Sequence, residues 1–369
     1  MLLGYTFQAR PSRRYEYLGR RDGRDLNLVF RAGFGFIMEP SRAAPVIIIG
    51  AGLVGPILAQ ALSARSIPYL IYEQDPHASH RGVGWGLTIH WALEIFKYLV
   101  PASIIQGLPD AFVDPEAVRS GEKGNFLFYD LRKGVALWKV PPSERLRLRR
   151  QSFRQLLLQN IDVQWGKQIT GIDAVGDNQI SAHFADGTSS PAGSIIVGCD
   201  GARSQVRKLL MPHSFQNHQL PIRLLGVSVV FTTAMAKPLR DLDPYFMQGG
   251  DKETDVFLWF SFLDGPSNNT RDERDSYTCQ ILISWPVRPE KGLPEVPAAS
   301  ADRLALMKHL SRDWADPFHT IIKAIPDDAE PITLKLEDWP PPVNPRKDGW
   351  DNMGGRVTLA GDSAHAMTM

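Results

Sequence analysis

A glycine-rich turn is the first place in the chain where residue spacing suggests chemistry. Gly50, Gly52 and Gly55 follow the β-branched run Val46–Ile49 with the spacing G-x-G-x-x-G, and a helix-forming segment comes next. The first glycine permits a tight turn, the second lets the backbone approach a pyrophosphate, and the third lets helix and strand pack closely. Phosphate oxygens would accept hydrogen bonds from N–H groups at the helix N-terminus. The motif predicts a dinucleotide site, but it does not separate NAD from FAD.

A carboxylate at the end of the second predicted strand strengthens this interpretation. Glu73 follows the apolar residues 68–72, at the spacing of about 20 residues that is typical of a ribose-binding acid. We expect Glu73 to accept hydrogen bonds from the ribose hydroxyls of an adenosine and to repel a 2′-phosphate, so NADP is disfavoured in this slot. The alternative is an ordinary surface carboxylate.

Two further apolar runs each end at an aspartate beside a glycine. Asp200 and Gly201 follow residues 195–198, and Gly361 and Asp362 follow the run near the end of the sequence. A carboxylate at a strand end without a local partner can accept hydrogen bonds from ligand hydroxyls, and burying it without such donors costs several kcal/mol. The alternative for Asp362 is a structural ion pair with a nearby arginine.

Two kinds of element must position these residues. The region from Pro45 begins with a strand, a helix over residues 54–65 and a second strand, which make a βαβ unit. An amphipathic helix is predicted over residues 147–159. The middle of the chain is β-rich, with loops between the strands as in an antiparallel sheet. Its predicted strands are residues 222–232, 256–263 and 277–285, followed by a helix over 301–314 and a strand over 332–339.

The predicted fold class is α/β, with a Rossmann-like nucleotide-binding domain interrupted by an inserted β-sheet (α+β) domain. We expect residues 45–220 to form the first part of the nucleotide-binding domain and residues 221–340 to form the substrate domain. Residues 341–369 return to the nucleotide-binding domain. Residues 1–44 are rich in arginine with little apolar periodicity, and we interpret them as a disordered or atypical extension. A transit peptide or a nucleic-acid-binding arm is a weaker alternative.

The composition excludes several classes of protein. The net charge is +1, so nothing attracts the chain to nucleic acid or to an acidic membrane. Cys199 and Cys279 are too far apart for a metal or disulfide framework, and both lie in apolar runs typical of buried thiols. The apolar residues 45–62 are interrupted by glycines and a proline, which favours a buried strand and helix over a membrane span. We expect no metal, no nucleic-acid partner and no membrane span, and a cytoplasmic location.

The ordered set of three motifs resembles the class A FAD-dependent monooxygenases, the p-hydroxybenzoate hydroxylase-like group. The resemblance covers residues 45–369 and is greatest to fungal enzymes that oxidise phenolic and other secondary metabolites. It implies that FAD is the cofactor and that NAD(P)H is a co-substrate. It also implies that O2 forms a flavin C4a-hydroperoxide, which hydroxylates or epoxidises a small aromatic or polyketide- or terpenoid-like metabolite.

The resemblance also implies roles for individual residues. Arg150 matches an arginine that contacts the flavin cofactor, with Arg149 as its rival, and Gly84 matches a loop that passes near FAD by its backbone. Gly361 and Asp362 match the pair that binds the ribityl chain. Asp200 matches a residue that serves cofactor positioning and NAD(P)H use.

The substrate is expected between the flavin and the middle sheet, and no catalytic base stands out. Five aromatic residues could line this space, although a core position is favoured for each: Tyr245, Phe246, Trp259, Phe260 and Phe262. Four residues are conceivable bases: His90, Tyr129, Tyr277 and His319.

The sequence ends at Met369, where the family motif continues into a glycine-rich segment and a helix. The expectation is therefore a C-terminally truncated member, and the alternative function is a flavin-fold protein without catalytic turnover. Substrate, oligomeric state and the choice between NADH and NADPH are not predicted.

Overall fold

The computed structural model describes residues 44–80, 85–141, 143–268, 275–288, 290, 292–342 and 350–367. They belong to one compact unit that spans Ala43–Met369. The predicted extension over residues 1–44 lies outside the described residues, apart from residue 44. In this part of the chain no helix is both long and apolar enough to cross a membrane.

The secondary structure is mixed. The strands are β1 (Val46–Ile49), β2 (Tyr69–Tyr72), β3 (Gly86–Ile89), β4 (Leu127–Asp130), β5 (Val135–Lys139), β6 (Leu146–Arg149), β7 (Val163–Gln164), β8 (Ile169–Val175), β9 (Gln179–Phe184), β10 (Ile195–Gly198), β11 (His218–Gln219), β12 (Ile222–Thr232), β13 (Phe246–Asp251), β14 (Val256–Asp264), β15 (Ser276–Pro286), β16 (Ile332–Leu334), β17 (Glu337–Asp338) and β18 (Val357–Leu359). The helices are α1 (Val54–Ser63), α2 (Leu93–Leu99), α3 (Ala102–Gly107), α4 (Pro115–Arg119), α5 (Arg150–Leu157), α6 (Gln205–Leu210), α7 (Thr233–Arg240), α8 (Ser300–Leu310) and α9 (Phe318–Lys323). Short 3-10 turns cover Leu108–Ala111, Pro266–Asn268 and Gly361–Ser363.

A five-stranded parallel sheet has the order β18-β10-β1-β2-β7. Its central strand β1 pairs with both β2 and β10, and β18 returns from the end of the chain to pair with β10. β1 carries three isoleucines that are almost fully buried, as expected for a strand covered on both faces. Because the strands are parallel, the segments that follow β1, β10 and β18 all leave the sheet at one edge.

A seven-stranded sheet with the order β16-β12-β15-β14-β13-β4-β5 forms the second layer. All its pairings are antiparallel except that of β13 with β4. One face packs against α7, α8 and α9 in the largest apolar core. The sheet is not confined to residues 221–340, because β4 and β5 precede residue 221. The exact domain boundaries stay a prediction.

Three predicted elements differ from the structure by more than two residues. The helix predicted over residues 147–159 begins at Arg150, because Leu146–Arg149 instead forms β6 and pairs with β3. Leu146 and Leu148 are buried on alternate positions of this strand. The helix predicted over 301–314 ends at Leu310, and the strand predicted over 332–339 is split into β16 and β17. Both cysteines are free and buried.

Candidate functional site

A cleft of about 390 Å³ opens at the edge where β1, β10 and β18 end. Its volume lies in the usual range for a ligand site. Six of the nine predicted cofactor residues line it: Gly50, Gly52, Glu73, Arg150, Asp200 and Asp362. The convergence follows from topology, since the carboxyl ends of parallel strands meet at one edge of the sheet.

The three glycines of the first turn have three different surroundings. Gly50 has φ +105°, and a Cβ there would stand 2.5 Å from the Cys199 carbonyl oxygen. At Gly55 a Cβ would stand 1.9 Å from the Gly50 carbonyl oxygen, so only glycine allows α1 to pack this closely. At Gly52, by contrast, a Cβ would meet nothing within 4 Å. Gly50 and Gly55 are thus required by the fold, whereas Gly52 leaves space that belongs to the cleft.

Glu73 is 5 % exposed, and its carboxylate spans the turn. The backbone N–H of Ala51 donates to Glu73 Oε2 at 2.6 Å, and that of Asp75 donates to Oε1 at 3.0 Å. The alternative of an ordinary surface carboxylate is therefore wrong. These two bonds hold the carboxylate beside the glycine-rich turn, where Glu73 lines the cleft.

Arg154 is a site residue that the sequence analysis did not single out. Its guanidinium is buried on α5 and lines the cleft. Nε donates to the Ala51 carbonyl at 2.7 Å, and Nη1 donates to the Ala78 carbonyl at 2.7 Å. The side chain therefore ties α5 to the glycine-rich turn. These two carbonyl groups lie about 75 to 100 positions away in the sequence, so no local sequence signal could have identified the contact of Arg154 with the turn.

Arg150 and Arg149, the two rivals for one predicted role, point to different places. Arg150 opens α5 and lines the cleft. Arg149 ends β6, and its Nη1 lies 3.5 Å from the Asp264 carboxylate of β14. This placement favours Arg150 over Arg149 as the arginine beside a cofactor.

The Asp200 carboxylate caps the start of α6. Ser204 Oγ donates to Oδ1 at 2.5 Å, and the backbone N–H groups of Gln205 and Val206 donate to Oδ2 at 2.7 and 3.1 Å. Burial nevertheless raises the pKa of Asp200 above its ordinary value. Gly201, with φ +79°, makes the turn that follows. The direct effect of Asp200 within the chain is to hold this turn against the end of β10.

Contacts with α1, β10 and α6 hold the turn that follows β18 in place. Gly361 has φ +68°, and a Cβ there would stand 2.6 Å from Val54 Cγ2. Ser363 Oγ donates to the Gly198 carbonyl at 2.6 Å, which joins the turn to β10. The buried Arg207 donates through Nη1 to the Ser363 carbonyl at 3.2 Å, and its guanidinium lies over the Trp339 ring at 4.6 Å.

Asp362 itself is exposed at the cleft wall. Among the described residues, no hydrogen bond or ion pair engages its carboxylate. Arg356, which precedes β18 and is a nearby arginine in the sequence, instead donates to the Asp177 carbonyl at 2.8 Å. An unpaired carboxylate at a rigid turn is available to a ligand that carries hydroxyl groups.

The remaining predicted residues contribute less. Gly84 lies outside the described residues. The five aromatic residues of the middle sheet are core residues. Phe260 and Phe262 are fully buried, and Tyr245 and Phe246 are nearly so. Trp259 stacks on Phe246 with ring centroids 4.9 Å apart. The conceivable bases Tyr129 and Tyr277 are also buried in that core. The His319 ring contacts the Ser311 carbonyl.

The residues that line the cleft suit a dinucleotide in their chemistry and charge. Open backbone at Gly52 lies beside the N-terminus of α1, where phosphate groups bind well. Glu73 and Asp362 provide carboxylate acceptors for sugar or polyol hydroxyls. Positive charge comes from arginine and lysine side chains in the wall: Arg150, Arg154, Lys167 and Arg203.

Comparisons with known proteins agree with this class of site. The chain is 49% identical over 332 residues to a probable FAD-dependent monooxygenase of Arthroderma benhamiae, covering 88% of this chain and 76% of the relative. It is 38% identical over 334 residues to the FAD-dependent monooxygenase dbaB of Emericella nidulans, covering 89% of this chain and 82% of the relative. No family model matches the chain.

Solved structures agree in fold. A putative FAD-containing monooxygenase from Photorhabdus luminescens matches with a TM-score of 0.66 and 22% identity, covering 88% of this chain and 82% of the other. HpxO from Klebsiella pneumoniae, solved with FAD and uric acid, matches with a TM-score of 0.58 and 18% identity, covering 88% and 74%.

The fold is shared with a solved FAD-containing monooxygenase, and the curated relatives identify the class to which the chain belongs. The chain belongs to the FAD-dependent monooxygenases. It is an enzyme with an α/β fold and FAD as its cofactor. The resemblance and the fold class predicted from the sequence are confirmed.

Proposed function

We propose that this monooxygenase takes electrons from NAD(P)H and an oxygen atom from O2, and hydroxylates or epoxidises a small aromatic or polyketide- or terpenoid-like metabolite. The proposal rests on the convergence of three strand ends on one cleft, with open backbone at Gly52 and, at Asp362, a carboxylate that no other described residue engages. The fungal relatives named as FAD-dependent monooxygenases support the reaction class.

The adenosine half of FAD would lie over the first turn. The pyrophosphate would approach the backbone at Gly52 and accept hydrogen bonds from N–H groups at the start of α1. Glu73 would accept hydrogen bonds from the ribose hydroxyls, because the residue lines the cleft beside the glycine-rich turn. Arg154 holds the Ala51 carbonyl at 2.7 Å, so it keeps the turn in the conformation that receives the phosphates.

The flavin half would lie toward β18. The Asp362 carboxylate would accept hydrogen bonds from the ribityl hydroxyls, and Gly361 allows the backbone to turn there. Arg150 would contact the cofactor from α5. Asp200 would fix the adjoining turn and contribute to the use of NAD(P)H.

The protein binds and orients the cofactor and the reactants, because the cofactor itself carries out the redox chemistry. FAD, when bound, accepts a hydride from the nicotinamide and activates O2. The protein holds the reacting groups in one geometry, so that the step between them becomes effectively unimolecular. The substrate would lie between the cleft and the seven-stranded sheet.

The test is to follow NADPH and NADH oxidation by the purified holoenzyme with a panel of phenols in isotopically labelled O2. We expect substrate-stimulated oxidation and one labelled oxygen atom in the product. A protein that binds FAD but is not reduced by either nicotinamide, or a product whose new oxygen comes from water, would contradict the proposal.

A further inference from the structure

A second cleft lies at the other end of the β3–β6 ribbon from the cofactor cleft. Its volume is about 340 Å³, and its walls include His90, Trp91, Phe126, Ser143 and Arg145. Leu87 of β3 lines the cofactor cleft and His90 lines the second one. Three residues of extended chain separate them, which is about 10 Å at roughly 3.3 Å per residue. The second cleft is thus distinct from the cofactor cleft but close to it.

Aromatic rings form much of the second cleft. Trp91 is 87% exposed, and its ring lies on that of His90 with centroids 3.7 Å apart. Phe126 stacks on Trp138 at 5.9 Å with nearly parallel planes. Exposed aromatic surface in a concave site is typical of a binding site. A flat aromatic ligand would cover these rings and gain stacking contacts.

Arg145 places an almost fully buried positive charge in the wall of this cleft. The residue is 5% exposed. Nη2 donates to Ser143 Oγ at 3.1 Å and Nε to the Ser143 carbonyl at 3.4 Å, while Nη1 has no hydrogen-bond partner among the described residues. Burial lowers the pKa of Arg145. A buried charge without a paired counter-ion is costly, so the site favours an anion.

The two neighbouring carboxylates form hydrogen bonds with groups other than Arg145. Glu144 also lines the cleft, but its Oε1 accepts from Lys97 Nζ at 2.8 Å. Asp243 attracts Arg145 from within the protein. Its carboxylate accepts backbone N–H groups, from Asn125 at 2.6 Å and from Tyr245 at 2.9 Å. No ion pair to Arg145 is formed in the part of the chain that the structure describes.

His90 adds a neutral polar group. Burial, and then the charge of Arg145, lower the pKa of His90 below its ordinary value. The imidazole is therefore uncharged at neutral pH and can share a hydrogen bond with a ligand without repelling Arg145. Of the four conceivable bases named from the sequence, His90 is the one that lines either cleft.

We infer that the second cleft binds the aromatic, anionic end of the substrate, with its carboxylate or phenolate oxygen facing Arg145 and its ring against Trp91 and Phe126. The inference rests on the proposed function, because it assigns a substrate class to that reaction. The remainder of the substrate would extend along the ribbon toward the cofactor cleft.

The experiment compares two planar ligands by titration calorimetry on the holoenzyme: 2-naphthoate and its uncharged amide. We expect naphthoate to bind at least tenfold more tightly than the amide, since a hydrogen bond to a charged group contributes about that much. Arg145→Gln should remove this preference and leave the amide affinity within about threefold, whereas Arg145→Lys should retain part of it. Trp91→Ala should weaken the binding of both ligands. Lys139→Gln, which removes an exposed charge on β5, is the matched control and should change neither.

Equal affinities for the two ligands, or an Arg145→Gln variant that keeps its flavin and its melting temperature and still prefers naphthoate, would overturn the inference. So would the absence of naphthoate binding at millimolar concentration. Flavin content and reduction by nicotinamide are measured on the same samples. A holoenzyme that is reduced but does not bind naphthoate refutes this inference alone, and one that is not reduced refutes the proposed function.

Discussion

At the scale of single residues, the carboxylates around the cofactor cleft differ in how far the chain itself uses them. Asp200 accepts three hydrogen bonds from the start of α6, and Glu73 accepts two from backbone N–H groups. Asp362 has no such partner among the described residues. A substitution at Asp362 should therefore affect ligand binding with little effect on the fold.

We expect Asp362→Ala to weaken FAD binding by roughly 10-fold to 100-fold, because hydrogen bonds to a charged acceptor contribute about 1.5–3 kcal/mol. The melting temperature should stay close to that of the wild type. Fluorescence titration of apoprotein with FAD measures the affinity. Asp328→Ala, which truncates an exposed aspartate in the loop after α9, is the control. Unchanged FAD affinity in Asp362→Ala would refute the role of this residue.

At the scale of elements, the sequence predicted those parts whose signal is local. β1, the glycine turn and α1 were predicted because a β-branched run, spaced glycines and a helix-forming segment are contiguous. β6 was missed because its leucines, with those of α5, also fit a continuous helical stripe, and only its pairing with β3 distinguishes the two. Arg154 was missed because its partners at Ala51 and Ala78 are distant in sequence. Long-range pairing leaves no local pattern.

Arg207 shows how one side chain joins several elements. It lies on α6 and donates to Phe215, Ala202 and Ser363 carbonyls while it lies over the Trp339 ring. We expect Arg207→Met to lower the free energy of unfolding by roughly 2–4 kcal/mol, because several buried carbonyls lose their donor.

FAD affinity should fall in Arg207→Met as well, because the turn that carries Asp362 loses its support. Urea unfolding and FAD titration measure the two effects. Lys208→Met, an exposed neighbour on the same helix, should change neither. An Arg207→Met variant with wild-type stability would show that the turn does not depend on the Arg207 side chain.

At the scale of the whole molecule, one buried thiol lies at the end of the parallel sheet and one lies within the seven-stranded sheet. Cys199 follows β10 of the parallel sheet, and Cys279 lies in β15 of the seven-stranded sheet. Burial raises the pKa of Cys199 to about 12 and also raises that of Cys279. The thiolate is the reactive form, so both groups should be inert to alkylation at neutral pH in the folded protein.

We expect both cysteines to become reactive at the same urea concentration, because the two sheets belong to one compact unit. Pulsed alkylation followed by peptide mass spectrometry gives a separate midpoint for each residue. Coincident midpoints are the predicted result. Well-separated midpoints would show that the parallel sheet and the seven-stranded sheet unfold independently, as two separate domains would.

FAD should bind in the cleft where β1, β10 and β18 end, and the flavin content of a Gly52→Val variant tests this. A Cβ at Gly52 would meet nothing within 4 Å and would enter the open space of the cleft, so the variant should fold with a melting temperature close to that of the wild type. The valine would occupy the space of the pyrophosphate. Gly55→Val is the contrast, since its Cβ would stand 1.9 Å from a backbone oxygen and should destabilise the fold.

The measurement is the ratio of flavin absorbance to protein after gel filtration in the presence of FAD. We predict one flavin per chain in the wild type and almost none in a folded Gly52→Val variant. A folded Gly52→Val protein that retains flavin at the wild-type ratio would show that FAD does not bind over this turn.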